Sequence, residues 1–71
     1  MSENVYAVTE VVGSSTESAE AAIRNAVATA AEKLRNLEWF EVIETRGHID
    51  GGKVAHFQVA VKIGFRYETK A

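Results

Sequence analysis

Lys53-Val54-Ala55-His56-Phe57-Gln58-Val59-Ala60-Val61-Lys62-Ile63-Gly64-Phe65-Arg66-Tyr67 is the stretch on which the fold turns. Successive strand side chains point to opposite faces. Ala55, Phe57, Val59, Val61, Ile63 and Phe65 therefore form one apolar row. His56, Gln58, Ala60, Lys62, Gly64 and Arg66 form a second, largely polar one. A strand of this length runs about 50 Å at about 3.3 Å per residue. Upstream, Asp50-Gly51-Gly52 separates it from a second strand-like run, Glu38 to Ile49 (EWFEVIETRGHI). Two such runs around a short glycine-rich turn predict a β-hairpin.

The segment before the hairpin is helical in pattern. Ala19, Ile23, Ala26/Val27, Ala30, Leu34 and Leu37 recur at steps of three and four, which places them on one helical face. Ser14 followed by Glu17 fits a capping box at the start, and the helix is expected to run to about Asn36. Seven alanines between Ala19 and Ala31 favour helix and keep it thin enough to lie close to a curled sheet. Val5 to Val12 is rich in β-branched residues and is expected to form a strand that stops at Gly13. The order is β-α-β-β, an α+β subunit whose antiparallel sheet covers one helix. One domain accounts for residues 1–71.

So short a chain buries only about 60% of the surface its unfolded form exposes. Disulfides, metals or self-association commonly make up the deficit. There is no cysteine and there are only two histidines, so association leads. The hairpin gives the same indication independently. A helix of roughly 22 residues covers only about 33 Å, and the long strand must overhang it.

Composition narrows the function classes. The chain is 46% hydrophobic and 25% charged, with a net charge of -2 and no basic stripe. That is a globular composition without the electrostatic footprint of a nucleic-acid binder. No apolar run is long enough to span a membrane. Met1-Ser2-Glu3-Asn4 lacks the regions of a signal peptide, so the cytoplasm is expected.

Enzymatic signatures are missing. Glu38, Glu41 and Glu44 are spaced by three, alternate faces on a strand, and read as a solvated edge rather than a catalytic pair. His48 and His56 lie on opposite arms of the hairpin, without the helical spacing of a zinc pair, so no metal site is expected. Gly13-Ser14-Ser15 precedes a helix but lacks the phosphate-binding patterns; it reads as a plain strand-to-helix turn.

What remains surrounds the hairpin. Trp39 is either a core anchor or, at an overhanging end, a flat apolar surface for stacking. Gln58 is either a solvated amide or a reader of an edge that offers acceptor and donor side by side. Pairing Ile49 with Lys53 would set Arg46 opposite His56 and Glu44 opposite Gln58, with Arg46 and Gln58 on one face. Strict alternation puts Trp39 on the other face, so a bulge or a site shared between subunits is required. These residues stop at a small oligomeric binding module with an unspecified ligand.

VTEVVGSS, AAIRNAVATAAEKLRNLEWFEVIETRGHI and GGKVAHFQVAVKIGFRYE resemble the dodecins, small flavin-binding proteins of bacteria and archaea. The most specific pieces are LEWFEV, TRGHI and HFQVAVKIGFR. The resemblance implies a three-stranded antiparallel sheet partly wrapped around one helix, and a hollow homododecamer. It implies flavin pairs stacked between Trp39 side chains of two subunits, with Gln58 on the pyrimidine edge and Arg46 beside the ring. FMN is the expected flavin, with riboflavin or FAD as alternatives, and the role is storage and photoprotection without turnover. Some bacterial members hold coenzyme A, for which Tyr6, Lys33 and Arg66 are the candidate contacts. The alternatives are a cage-like structural oligomer with an empty pocket and one that mainly holds coenzyme A.

Overall fold

The computed structural model describes residues 3–68. Strand β1 (Tyr6–Ser15) leads into helix α1 (Ala19–Lys33), followed by β2 (Leu37–Asp50) and β3 (Lys53–Arg66). The sheet is antiparallel in the order β1-β3-β2. The strand with the cleanest alternation is thus the central one. Met1 and Ser2, part of the signal-peptide reading, lie outside the described residues, as do residues 69–71.

The core forms where the apolar row of β3 meets the alanine stripe of α1. Val59, Val61 and Ile63 are buried against Ala22, Ala26 and Ala30, flanked by Val11, Ile23, Val27 and Leu37. Alanines spaced by four bring the helix axis close to the sheet, as the sequence suggested.

Several expected boundaries shift. β1 does not stop at Gly13 but continues to Ser15, with Gly13 opposite Val59. The glycine marks a close approach, because a Cβ there would overlap the Ala22 carbonyl oxygen. The helix cap is Ser18 rather than a Ser14–Glu17 box, with Ser18 Oγ accepting from the Ala21 N–H at 3.0 Å. Ser15 Oγ accepts from the Glu17 N–H at 2.9 Å, and Ser14 gives its carbonyl to Asn25 Nδ2.

The helix also ends three residues before Asn36. Leu34 is already extended, and Asn36 adopts φ 65°. That left-handed conformation is one asparagine tolerates better than most residues. Asn36 turns the chain into β2 and is pinned to Arg66 by two hydrogen bonds, at 3.0 and 3.2 Å.

A shorter helix lengthens the overhang. At 1.5 Å rise, α1 spans about 22 Å, whereas the subunit measures 57 × 20 × 13 Å. The hairpin extends well past its own core. Phe40, Val42, Ile49 and Val54 of the hairpin, with Val8 and Val12 of β1, are among the exposed large apolar side chains. They lie on both faces of the sheet, and so much exposed apolar surface on one small subunit marks regions suited to association. No helix among the described residues is long and apolar enough to cross a membrane.

Candidate functional site

The face of the sheet turned away from α1 carries the candidate side chains, and three irregularities decide which of them share it. Asp50 pairs with Lys53 and Ile49 with Val54, so the turn is one residue tighter than expected. A bulge at Ala55 then sets His48 opposite His56 and Arg46 opposite Gln58. The expected pairs, Arg46 with His56 and Glu44 with Gln58, are each displaced by two residues along β3. Because the displacement is even, Arg46 and Gln58 remain on one face, as anticipated.

A second bulge, at Ile43, reverses the alternation of β2 between Val42 and Glu44. It brings Trp39 to the same face as Arg46, opposite Gly64. This is the bulge that strict alternation lacked. The face accordingly carries Tyr6 from β1, Trp39, Glu44 and Arg46 from β2, and Gln58 and Arg66 from β3.

These side chains form two separate stations. At the first, the Trp39 indole lies directly on Gly64, where any Cβ would overlap it. Tyr6 meets the indole edge-on, with ring centroids 5.2 Å apart and an interplanar angle of 63°. Trp39 nevertheless stays 43% exposed. Arg66, across the ladder from Tyr6, donates to Glu38 at 3.0 Å. Lys33 reaches this end from the helix terminus. It lines a shallow concavity of about 390 Å³ with Arg35, Arg66 and Tyr67. Of the three candidates, Lys33 and Arg66 thus share this concavity, and Tyr6 stands across the ladder from Arg66 without lining it.

At the second station Arg46 Nε donates to Gln58 Oε1 at 3.1 Å, and Arg46 Nη1 donates to Glu44 Oε1 at 3.1 Å. An arginine offers only donors, so the amide oxygen must face it. The Gln58 NH₂ then turns outward, towards any ligand that presents carbonyl acceptors.

The structure does not bring Trp39 and Gln58 of one chain together. Gly64, beneath Trp39, is six residues from Gln58 along β3, which is about 20 Å at the rise of a strand. That span along the strand sets the two stations apart within one chain.

Some participants were not singled out from the sequence. Glu44 and Glu38 were read as a solvated edge, yet each anchors an arginine. Glu44 and Arg46 are two apart on a strand, a spacing that already puts them on one face. Gly64 inside an otherwise unbroken strand signalled a close approach, and Trp39 supplies it. Among the described residues, no group of three or more His, Asp or Glu side chains is placed to hold a metal ion.

Fold and stations together define a small α+β subunit that displays its candidate side chains on an open sheet face. The dodecin family model matches residues 5–68, and the chain belongs to that family. A dodecin of Thermus thermophilus is 50% identical over 64 residues, covering 90% of this chain and 93% of that protein. The structure of dodecin from Streptomyces coelicolor aligns with a TM-score of 0.92 at 53% identity, over 99% of this chain and all of that one. A more distant structure is the calcium dodecin of Mycobacterium tuberculosis, described as calcium-chelating with a novel calcium-binding site. It aligns with a TM-score of 0.79 at 26% identity, over 94% of this chain and 96% of that one.

Proposed function

We propose that this protein stores and photoprotects a flavin, FMN foremost, in pockets formed between copies of the chain in a homododecamer, without catalytic turnover. The observation that carries it is the Trp39 station, an indole seated on glycine, steadied by Tyr6 and still substantially exposed. A flat aromatic ligand stacked there replaces water with π-surface, typically worth about 1–3 kcal/mol per ring. The second station supplies the complement from another copy. Gln58 offers its amide donors to the carbonyls of the pyrimidine edge, and Arg46, tethered by Glu44, flanks the ring. The span of about 20 Å along β3 between the stations of one chain supports a pocket shared between copies.

Trp39 would also supply the protection. An electron-rich indole packed against a photoexcited isoalloxazine quenches it by electron transfer before it reacts. A ring covered on both faces leaves a substrate no path to it, which is the physical ground for expecting no turnover.

Coenzyme A is a second reading, favoured by the concavity that Lys33 and Arg66 share. There Arg66 is paired with Glu38 and Arg35 with Glu68, so a phosphate would compete with carboxylates already in place. Calcium is a hard cation that takes six to eight oxygen ligands, and it ranks behind both.

The test is occupancy. Protein purified without added ligand from cells in the dark is denatured, and the released small molecules are identified by absorption and mass. FMN or riboflavin near one per chain supports flavin storage. Coenzyme A alone, or nothing, favours one of the other readings.

A further inference from the structure

His48 and His56 stand directly opposite each other in the β2–β3 ladder. Their rings are 5.3 Å apart, centre to centre, and within 15° of parallel. Every residue of β2 beyond Leu37 is exposed, and His56 is only half-buried, so no other element of the chain covers the pair. Their spacing along the chain carries none of the helical signature of a zinc site; the ladder and the bulge at Ala55 bring them together instead.

A neutral imidazole presents one unshared nitrogen lone pair. Directly opposed strand residues have Cβ atoms about 4.5–5.5 Å apart. Two imidazoles at that distance can meet a single ion at about 2.0–2.1 Å from each nitrogen. Only rotation about the terminal ring torsion is needed to turn the stacked rings towards a common point, and that torsion is soft.

The surrounding charge permits a cation. Arg46, two residues from His48 on the same strand, is bridged to Glu44 at 3.1 Å. Lys53 faces Asp50 at the turn. The Arg46 charge beside the pair is thus already met by a carboxylate.

We propose that His48 and His56 form a two-imidazole site for a borderline divalent transition-metal ion, with Zn²⁺ as the reference ion and water completing its coordination. Imidazole nitrogen is the ligand of Zn²⁺, Ni²⁺ and Cu²⁺, and by the usual affinity order Cu²⁺ binds most tightly. Calcium, an oxygen-seeking ion, is rejected by the same ligands. The site lies at the far end of the subunit from Trp39, and its existence does not depend on flavin binding.

The test uses flavin-free, metal-stripped, full-length protein. Zn²⁺ is titrated in competition with a chromophoric chelator in a non-coordinating buffer, with Ca²⁺ as the control ion. Saturable Zn²⁺ uptake is expected. It should fall at least about tenfold in affinity in His48→Ala, since loss of even an outer-shell partner costs about 10–100-fold, and vanish in the double variant His48→Ala/His56→Ala. No saturable uptake by the parent protein would overturn the proposal, and so would uptake retained by the double variant or displaced equally by Ca²⁺. Far-UV circular dichroism and elution volume check the fold. Should the alanine variants fail to assemble, His48→Gln/His56→Gln keeps the bulk and polarity while removing the imidazoles.

Discussion

Arg46 and Gln58 face each other across the β2–β3 ladder, and the guanidinium Nε donates to the amide Oε1 at 3.1 Å. The pair fixes which half of the amide a ligand meets, and Glu44 fixes the arginine in turn. Arg46 and Glu44 are exposed and Gln58 is half-buried, and an exposed ion pair of this kind is worth little to stability. Their worth to binding depends on orientation.

Gln58→Ala should therefore weaken flavin binding without lowering the melting temperature. Arg46→Ala should weaken it less, by releasing the amide to rotate. A double-mutant cycle in a flavin titration should return a coupling of about 0.5–3 kcal/mol between the two. Strict additivity would mean that Arg46 does not orient Gln58.

Trp39→Ala should cost about 1–3 kcal/mol of flavin affinity by loss of stacking, measured by calorimetry. Trp39→Phe keeps a flat ring and should lose less. Unchanged affinity in the alanine variant would make the indole a structural anchor only.

Gly64→Ala places a methyl group where the Trp39 indole lies. The indole must lift from the sheet, and overpacking of this kind typically costs about 1–3 kcal/mol. Urea unfolding should show that loss, with a change in Trp39 fluorescence and weaker flavin binding. Gly13→Ala meets the Ala22 backbone instead, so a comparable stability loss should come with unchanged Trp39 emission.

The span of about 20 Å along β3 between the stations of one chain makes a further prediction. Trp39→Ala chains and Gln58→Ala chains should each bind flavin poorly alone. Co-refolded in equal amounts, they should regain about a quarter of the tight sites, because in a symmetric oligomer a pocket can draw each station from a different copy. A site contained within one chain would regain none.

Much of this was legible in the sequence. The alternation of β3 and the alanine stripe of α1 announced the β-α-β-β order, since both record which side chains must leave water. The overhang followed from length alone. Element ends were less legible. Gly13 looked like a stop because a glycine's reason, here the Ala22 carbonyl, lies in another element. Ser14 looked like a cap because its spacing to Glu17 was right, although Ser18 holds the position in three dimensions.

The bulges at Ile43 and Ala55 were the decisive gap. A bulge is one unpaired residue with no composition of its own, and it moves every later side chain to the other face. Placing Trp39 with Arg46, and His48 against His56, required the ladder itself.

The most direct test of flavin storage at a shared, stacked pocket is a fluorescence titration of FMN with the purified oligomer, repeated with riboflavin. Quenching that saturates at about one flavin per chain is the expected result, because each copy contributes one Trp39 and one Gln58. FMN that stays bright in the presence of a well-formed oligomer would contradict the stacked pocket and leave the assembly without a flavin function.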